Sequence, residues 1–292
     1  MTQYSHSRLS SFENCPQKFE YRYIQKIQVE SEGIEAFLGK RVHEILERLY
    51  HHVARHRRPP TLGQVKDRFH EDWKRHWHEH IKIVRRENST EVYLQQGERC
   101  LENYYRGHYP FEDGETVALE KHVSLQLDDA GNYRARGVID RLTKQKDGTY
   151  EIHDYKTSSS LPPPARLERD RQLALYQIGI EQSFPDAESI ELVWHYLVFN
   201  KTLRSRRTPQ QLDELRSRTI QLIDEIEANT SFQPKPGPLC RWCEYRDLCP
   251  EGPASPSREE SEPADPELAP AAFGASTAAL CSPEGIQLSL LD

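Results

Sequence analysis

Asp140, Asp154 and Lys156 lie in one short stretch, GVIDRLTKQKDGTYEIHDYKTS from Gly137 onward. Two β-prone runs, Arg136 to Lys144 and Tyr150 to Thr157, bracket Lys146-Asp147-Gly148. Asp-Gly between such runs signals a hairpin. A strand repeats every two residues, so Asp154 and Lys156 project from one face, and Asp140 on the partner strand can reach it. Two carboxylates beside one lysine are costly to build for stability alone. They suit a divalent cation and a positioned water; on an exposed hairpin the same residues would be only a salt bridge.

A second chemical group is made of thiols. Cys240-x2-Cys243-x5-Cys249 follows a segment with Pro234, Pro236 and Pro238. Three thiolates need a fourth ligand, and Cys15-Pro16 is the best candidate. Four thiolates suit zinc or a [4Fe–4S] cluster, and spacing alone does not separate the two. Cys100 sits in a helical pattern and reads as a buried apolar residue. Gly33 to Arg41 has a superficial likeness to a P-loop. It carries five residues between its glycines and has Arg41 where a magnesium-binding Ser or Thr is needed, so no nucleotide cofactor is expected.

The elements that must position these groups follow from periodicity. Phe37 to Arg57 is an amphipathic helix with Val42, Ile45, Leu46, Leu49 and Val53 on one stripe, ended by Pro59-Pro60. Further helices are expected at about Leu62–Ile83 and Thr90–His108. A strand at Thr116–Leu127 precedes the hairpin. A helix at Arg166–Ser183, a strand at Ser189–Asn200 that is apolar on both faces, and a helix at Pro209–Asn229 complete the pattern. The expected fold class is a mixed α/β sheet flanked by helices, with an N-terminal helical arm at about 37–110 and a core at about 115–205.

The chain has 292 residues and a formal net charge of −7. Glu251 to Asp292 holds eight acids and Arg258, so the first 250 residues carry 38 basic and 38 acidic side chains and are neutral. A neutral body can hold a local basic groove, and the acidic total does not argue against nucleic acid. The expected organisation is one domain over 1–250 and a disordered acidic, Pro-rich tail over 251–292. No long apolar run is present, so no membrane span is expected, and a cytoplasmic protein is the default reading.

Taken in order, these pieces resemble a known family. Ser5-x-Ser7-Arg8-Leu9 with Phe12, Cys15-Pro16 and Phe19 resembles the opening of RecB/AddB-like nucleases and their CRISPR-associated relatives. So do Gly39-x3-His43-x2-Leu46-Glu47, Gly137-x2-Asp140, Asp154-x-Lys156, Gln172-x3-Tyr176 and the Cys240/Cys243/Cys249 group. The likeness covers roughly residues 4–250 and is to the iron–sulfur exonuclease branch of the PD-(D/E)xK superfamily. It implies a restriction-endonuclease-like sheet with a four-cysteine iron–sulfur element. It implies metal ligation by His43, Asp140, Asp154 and the backbone carbonyl of Tyr155. Gln172 and Tyr176 would face the catalytic strand, with Arg169 adding positive charge. Cys15, Cys240, Cys243 and Cys249 would bind one [4Fe–4S] cluster, which the likeness favours over Zn²⁺.

The expected activity is that of a Mg²⁺- or Mn²⁺-dependent DNA exonuclease or end-processing nuclease in repair or recombination. The cation polarises the scissile phosphate and activates water, and Lys156 orients that water and offsets phosphoryl charge. By resemblance, the product carries a 5′-phosphate. Single-stranded DNA is the preferred partner, with Trp73, Trp77, Tyr104 and Tyr105 as candidate stacking residues that could equally be core. Two alternatives stand: a CRISPR-associated spacer-processing nuclease, and a weakly active DNA-end-binding module. The terminal Gln287-Leu288-Ser289-Leu290-Leu291 looks like the peptide by which bacterial replication and repair proteins dock on the sliding clamp.

Overall fold

The computed structural model describes residues 3–56 and 58–252. The clamp-like residues Gln287, Leu288, Leu290 and Leu291, and Cys281, lie outside the described residues, as does nearly all of the expected tail. None of the described helices is long and apolar enough to cross a membrane.

The chain opens with β1 (Gln3–Ser5), α1 (His6–Asn14) and α2 (Pro16–Phe19). Ser5 caps α1 by accepting the Arg8 N–H at 3.2 Å, and Pro16 occupies the first turn of α2, where a missing N–H costs nothing. A short strand β2 (Glu32–Gly33) leads into the helical arm: α3 (Ile34–Arg55), α4 (Leu62–His76), β3 (Ile81–Lys82) and α5 (Thr90–His108). The α3 stripe of Phe37, Leu38, Val42, Ile45, Leu46 and Leu49 is buried, as its spacing predicts. α4 is shorter than expected. It ends at His76, because the segment beyond carries no apolar stripe and pairs as β3 with β2 instead.

The sheet is built from β4 (Glu115–Gln126), β5 (Arg134–Lys144), β6 (Tyr150–Lys156), β7 (Ile190–Tyr196) and β8 (Lys201–Ser205). β4, β5 and β6 are successive antiparallel neighbours; β7 is parallel to β6, and β8 returns antiparallel. The parallel β6–β7 step needs a crossover, supplied by α6 (Pro164–Glu168) and α7 (Arg171–Ser183). The single helix expected over 166–183 is thus two, because Asp170 accepts the Leu173 N–H and starts a new helix. β7 is buried on both faces, as a central strand must be, but it stops at Tyr196; β1 and β8 were not foreseen. α8 (Pro209–Ala228) closes the α1/α7 side, opened by a Thr208 capping box. One apolar core lies between the sheet and α1, α7 and α8, and a second joins the sheet to α3, α4 and α5. The expected α/β class with a mixed sheet and a helical arm is the one observed.

One detail of the sheet prepares the site. On one edge β5 pairs with β1 through Arg134–Arg136 and with β6 through Arg141–Lys144. Between these, residues 137–140 have no ladder partner on that edge, and the sheet forks there.

Candidate active site

Asp140 lies at the fork. β6 diverges from β5 after the Arg141–His153 pair, so Tyr155, though still in register with His195 of β7, loses its partner on the β5 side. The Asp140 carboxylate replaces it, with Oδ2 accepting the Tyr155 N–H at 2.8 Å. The Tyr155 carbonyl faces α3, where His43 Nε2 lies 2.8 Å away and donates to it. His43 Nδ1 is 3.5 Å from Asp140 Oδ2. Burial works against a charge on His43, but Asp140, and after it Asp154 and the Tyr155 carbonyl, lift its pKa to about 9.

Asp154 and Lys156 share a face, as their spacing predicts. Lys156 Nζ is 2.6 Å from Asp154 Oδ2 and donates to Gln172 Oε1 at 3.1 Å. Gln172 Nε2 donates to Asp154 Oδ1 at 3.2 Å. One amide therefore holds both ends of the ion pair. Gln172 can do so because the crossover brings the first turn of α7 over the end of β6. Burial raises the Asp154 carboxyl, with Lys156 opposing and Asp140 adding to the rise. Burial opposes the Lys156 charge, yet Asp154 keeps that ammonium above its ordinary value.

Tyr176, one turn after Gln172, is buried against β5. A Cβ on Gly137 would lie 2.0 Å from the Tyr176 ring, so only glycine admits it there. Gly39 plays a looser part on α3, where a Cβ would sit 3.5 Å from Thr157 Oγ1, an ordinary contact. Arg169, the weakest of the expected contacts, makes no side-chain hydrogen bond or ion pair within the described residues and is exposed.

Glu120 was missed. It falls opposite Asp140 in the β4–β5 register, between the pairs Leu119–Arg141 and Lys121–Ile139. Its backbone is left-handed, at φ 44°, a conformation rarely adopted by a residue with a side chain. Burial and then Asp140 raise its carboxyl to about 7. Like charges directly opposite on neighbouring strands destabilise a sheet. Among the described residues, His43, Glu120 and Asp140 form the one group of three potential ligands whose donor atoms lie within 4.8 Å of one another. Nitrogen and carboxylate donors at that spacing fit a hard divalent cation, which would remove the repulsion. Register counted back from the turn at 128–132 was the signal available for Glu120.

The expected stacking residues divide. Trp73 and Tyr104 are buried in the second core, and Tyr104 hydrogen-bonds Tyr155 through their hydroxyls at 3.3 Å; neither presents a face to a base. Trp77 is exposed and stacks on Trp73.

Cys15, Cys240, Cys243 and Cys249 line one cavity of about 600 Å³, reached from both ends of the folded chain. Their sulfurs are not drawn to the mutual spacing of the His43 group, and no disulfide joins any of the four. Backbone N–H groups point at two of them, Lys235 to Cys15 Sγ at 3.4 Å and Gly237 to Cys240 Sγ at 3.3 Å. Cys100 is buried in α5, as expected.

The profile of the PD-(D/E)XK nuclease superfamily matches residues 3–250. The chain belongs to the PD-(D/E)XK nuclease superfamily. Membership implies a metal-dependent nuclease, and nucleases of this superfamily use divalent metals; the His–Glu–Asp group is where the described residues have donors for one. No curated protein matches the chain. Among solved structures, that of SSO0001 aligns at 14% identity and a TM-score of 0.31, covering 84% of this chain and 94% of that one; a likeness of that size adds nothing to the assignment.

Proposed function

We propose that this PD-(D/E)XK chain is a Mg²⁺- or Mn²⁺-dependent DNA exonuclease or end-processing nuclease of the RecB/AddB-like iron–sulfur branch. The observation that carries the reading is the fork at Asp140, which gathers the Asp140 carboxylate, the Tyr155 carbonyl and His43 beside Asp154 and Lys156. In this reading His43, Asp140, Asp154 and the Tyr155 carbonyl hold the cation, with Glu120 as a further carboxylate. A bound divalent cation supplies Lewis-acid polarisation of the scissile phosphate. Lys156, kept protonated by Asp154 and steadied by Gln172, offsets charge developing on the phosphoryl oxygens. Tyr176 packs behind Gln172 and fixes its position. Exposed Trp77 and half-buried Tyr105 are the remaining stacking candidates for a single strand.

The reading extends to a [4Fe–4S] cluster on Cys15, Cys240, Cys243 and Cys249. The shared cavity and the two N–H···S contacts support it. A clamp tether at Gln287–Leu291 remains part of the proposal. The test is incubation of labelled single-stranded, double-stranded, end-blocked and circular DNA with Mn²⁺. Degradation of free-ended strands alone fits the exonuclease. Binding without cleavage of any substrate would instead fit an end-binding module.

A further inference from the structure

Gln172 spans Asp154 and Lys156 with bonds of 3.2 and 3.1 Å, one from each end of its carboxamide. Such a bridge tolerates little displacement. A shift of α7 by about 1 Å away from β6 would carry both contacts past hydrogen-bonding reach. The apolar side of α7, with Leu173 and Ala174 buried, holds the helix on the sheet, but apolar burial has no direction. Arg171, the first residue of α7, supplies one. Its Nη1 donates to Glu13 Oε1 at 3.0 Å and its Nη2 to Glu13 Oε2 at 2.6 Å, a bidentate pair. Nη2 also donates to Ser10 Oγ at 3.1 Å. Ser10 and Glu13 stand one turn apart on α1. Burial, and after it Arg171, lower the pKa of His6 below its ordinary value, so at neutral pH the imidazole is uncharged and can accept. The Ser10 hydroxyl, already accepting from Arg171, turns its own proton to His6 Nε2 at 3.4 Å.

Arg171 keeps 17% of its side chain exposed and Glu13 45%. An ion pair with one partner half in water adds little to stability. What a planar guanidinium in bidentate contact does fix is distance and orientation. We propose that Arg171 and Glu13 are positioning residues of the cleavage site: their fork locks the first turn of α7 to α1 and so places Gln172 where its amide reaches both Asp154 and Lys156. What Gln172 does in cleavage rests on the nuclease reading; how it is held does not.

The test uses the full chain with Glu13→Ala and Arg171→Met, the second keeping the apolar stem. In EDTA, hydrogen exchange of the Gln172 Nε2 protons is followed by NMR, the signals being identified by their absence in Gln172→Ala. Each variant is expected to speed that exchange tenfold or more with unchanged melting temperature. Exchange within twofold of wild type in both variants overturns the inference. Mn²⁺-dependent cleavage of a labelled oligonucleotide is measured in parallel. Each variant is expected to lower kcat tenfold or more with KM within twofold, and to change kcat less than twofold in a Gln172→Ala background, because the effect travels through that amide. A further tenfold loss on top of Gln172→Ala overturns the inference as well. Absence of cleavage by wild type counts against the nuclease reading, and the exchange measurement then decides the positioning role alone.

Discussion

The Asp140 carboxylate takes the place of a missing strand. Its Oδ2 accepts the Tyr155 N–H at 2.8 Å where β6 leaves β5, and the same oxygen lies 3.5 Å from His43 Nδ1. One side chain thus keeps the fork open and contributes to the donor group.

Those two roles are separable. Asp140→Asn retains an oxygen for the Tyr155 N–H but loses the charge. It is expected to keep its melting temperature and to lose Mn²⁺ affinity tenfold or more by calorimetry. Asp140→Ala strands a backbone donor as well and is expected to cost a further ~1–3 kcal/mol of stability in urea unfolding.

The raised pKa of His43 predicts proton release. Its folded value, about 9, lies above the ordinary 6.5, so in the metal-free protein the charged imidazole stabilises the fold fully below pH 6.5. That contribution is lost as pH rises through about 9. A cation taking an imidazole nitrogen must displace the proton. Between pH 7 and 8, Mn²⁺ binding is therefore expected to release about one proton, read from calorimetry in buffers of different ionisation enthalpy. Apparent affinity should rise with pH across this window, and His43→Ala should remove most of the release, leaving the smaller part that Glu120, raised to about 7, still gives up.

Gly137 tests the packing behind the site. Gly137→Ala places a methyl where the Tyr176 ring sits and is expected to cost about 1–3 kcal/mol. Pairing it with Tyr176→Leu should recover most of that stability in a double-mutant cycle, while activity stays low because Gln172 has lost its support.

The cysteines predict a chromophore. Anaerobically purified protein should be brown, with broad visible absorption and about four irons per chain. Cys15→Ser or Cys249→Ser should bleach it and lower the melting temperature, since both ends of the domain meet in that cavity. A colourless, zinc-loaded protein would overturn the iron–sulfur assignment.

Much of this architecture was readable from short-range pattern. The Asp147-Gly148 turn between β-prone runs located the hairpin that carries Asp140 and Asp154, and the α3 stripe located the arm that carries His43. What escaped was decided over longer range. β1 and β8 are short and take their meaning from edges of the sheet. Ile81–Lys82 pairs with Glu32–Gly33 across the whole of α3 and α4, which no local period encodes. Glu120 had the look of one more charge on an exposed strand. Only the register across the turn at 128–132, together with the left-handed backbone, turns it toward Asp140.

If Asp154 and Lys156 belong to a phosphodiester-cleaving site, Mn²⁺-dependent degradation of a labelled single-stranded oligonucleotide, with strand binding measured alongside in Ca²⁺, will separate their part in cleavage from any part in binding. Asp154→Asn and Lys156→Ala are each expected to reduce the cleavage rate on the order of 10²-fold or more while strand binding persists. Cleavage at the wild-type rate in either variant would contradict it.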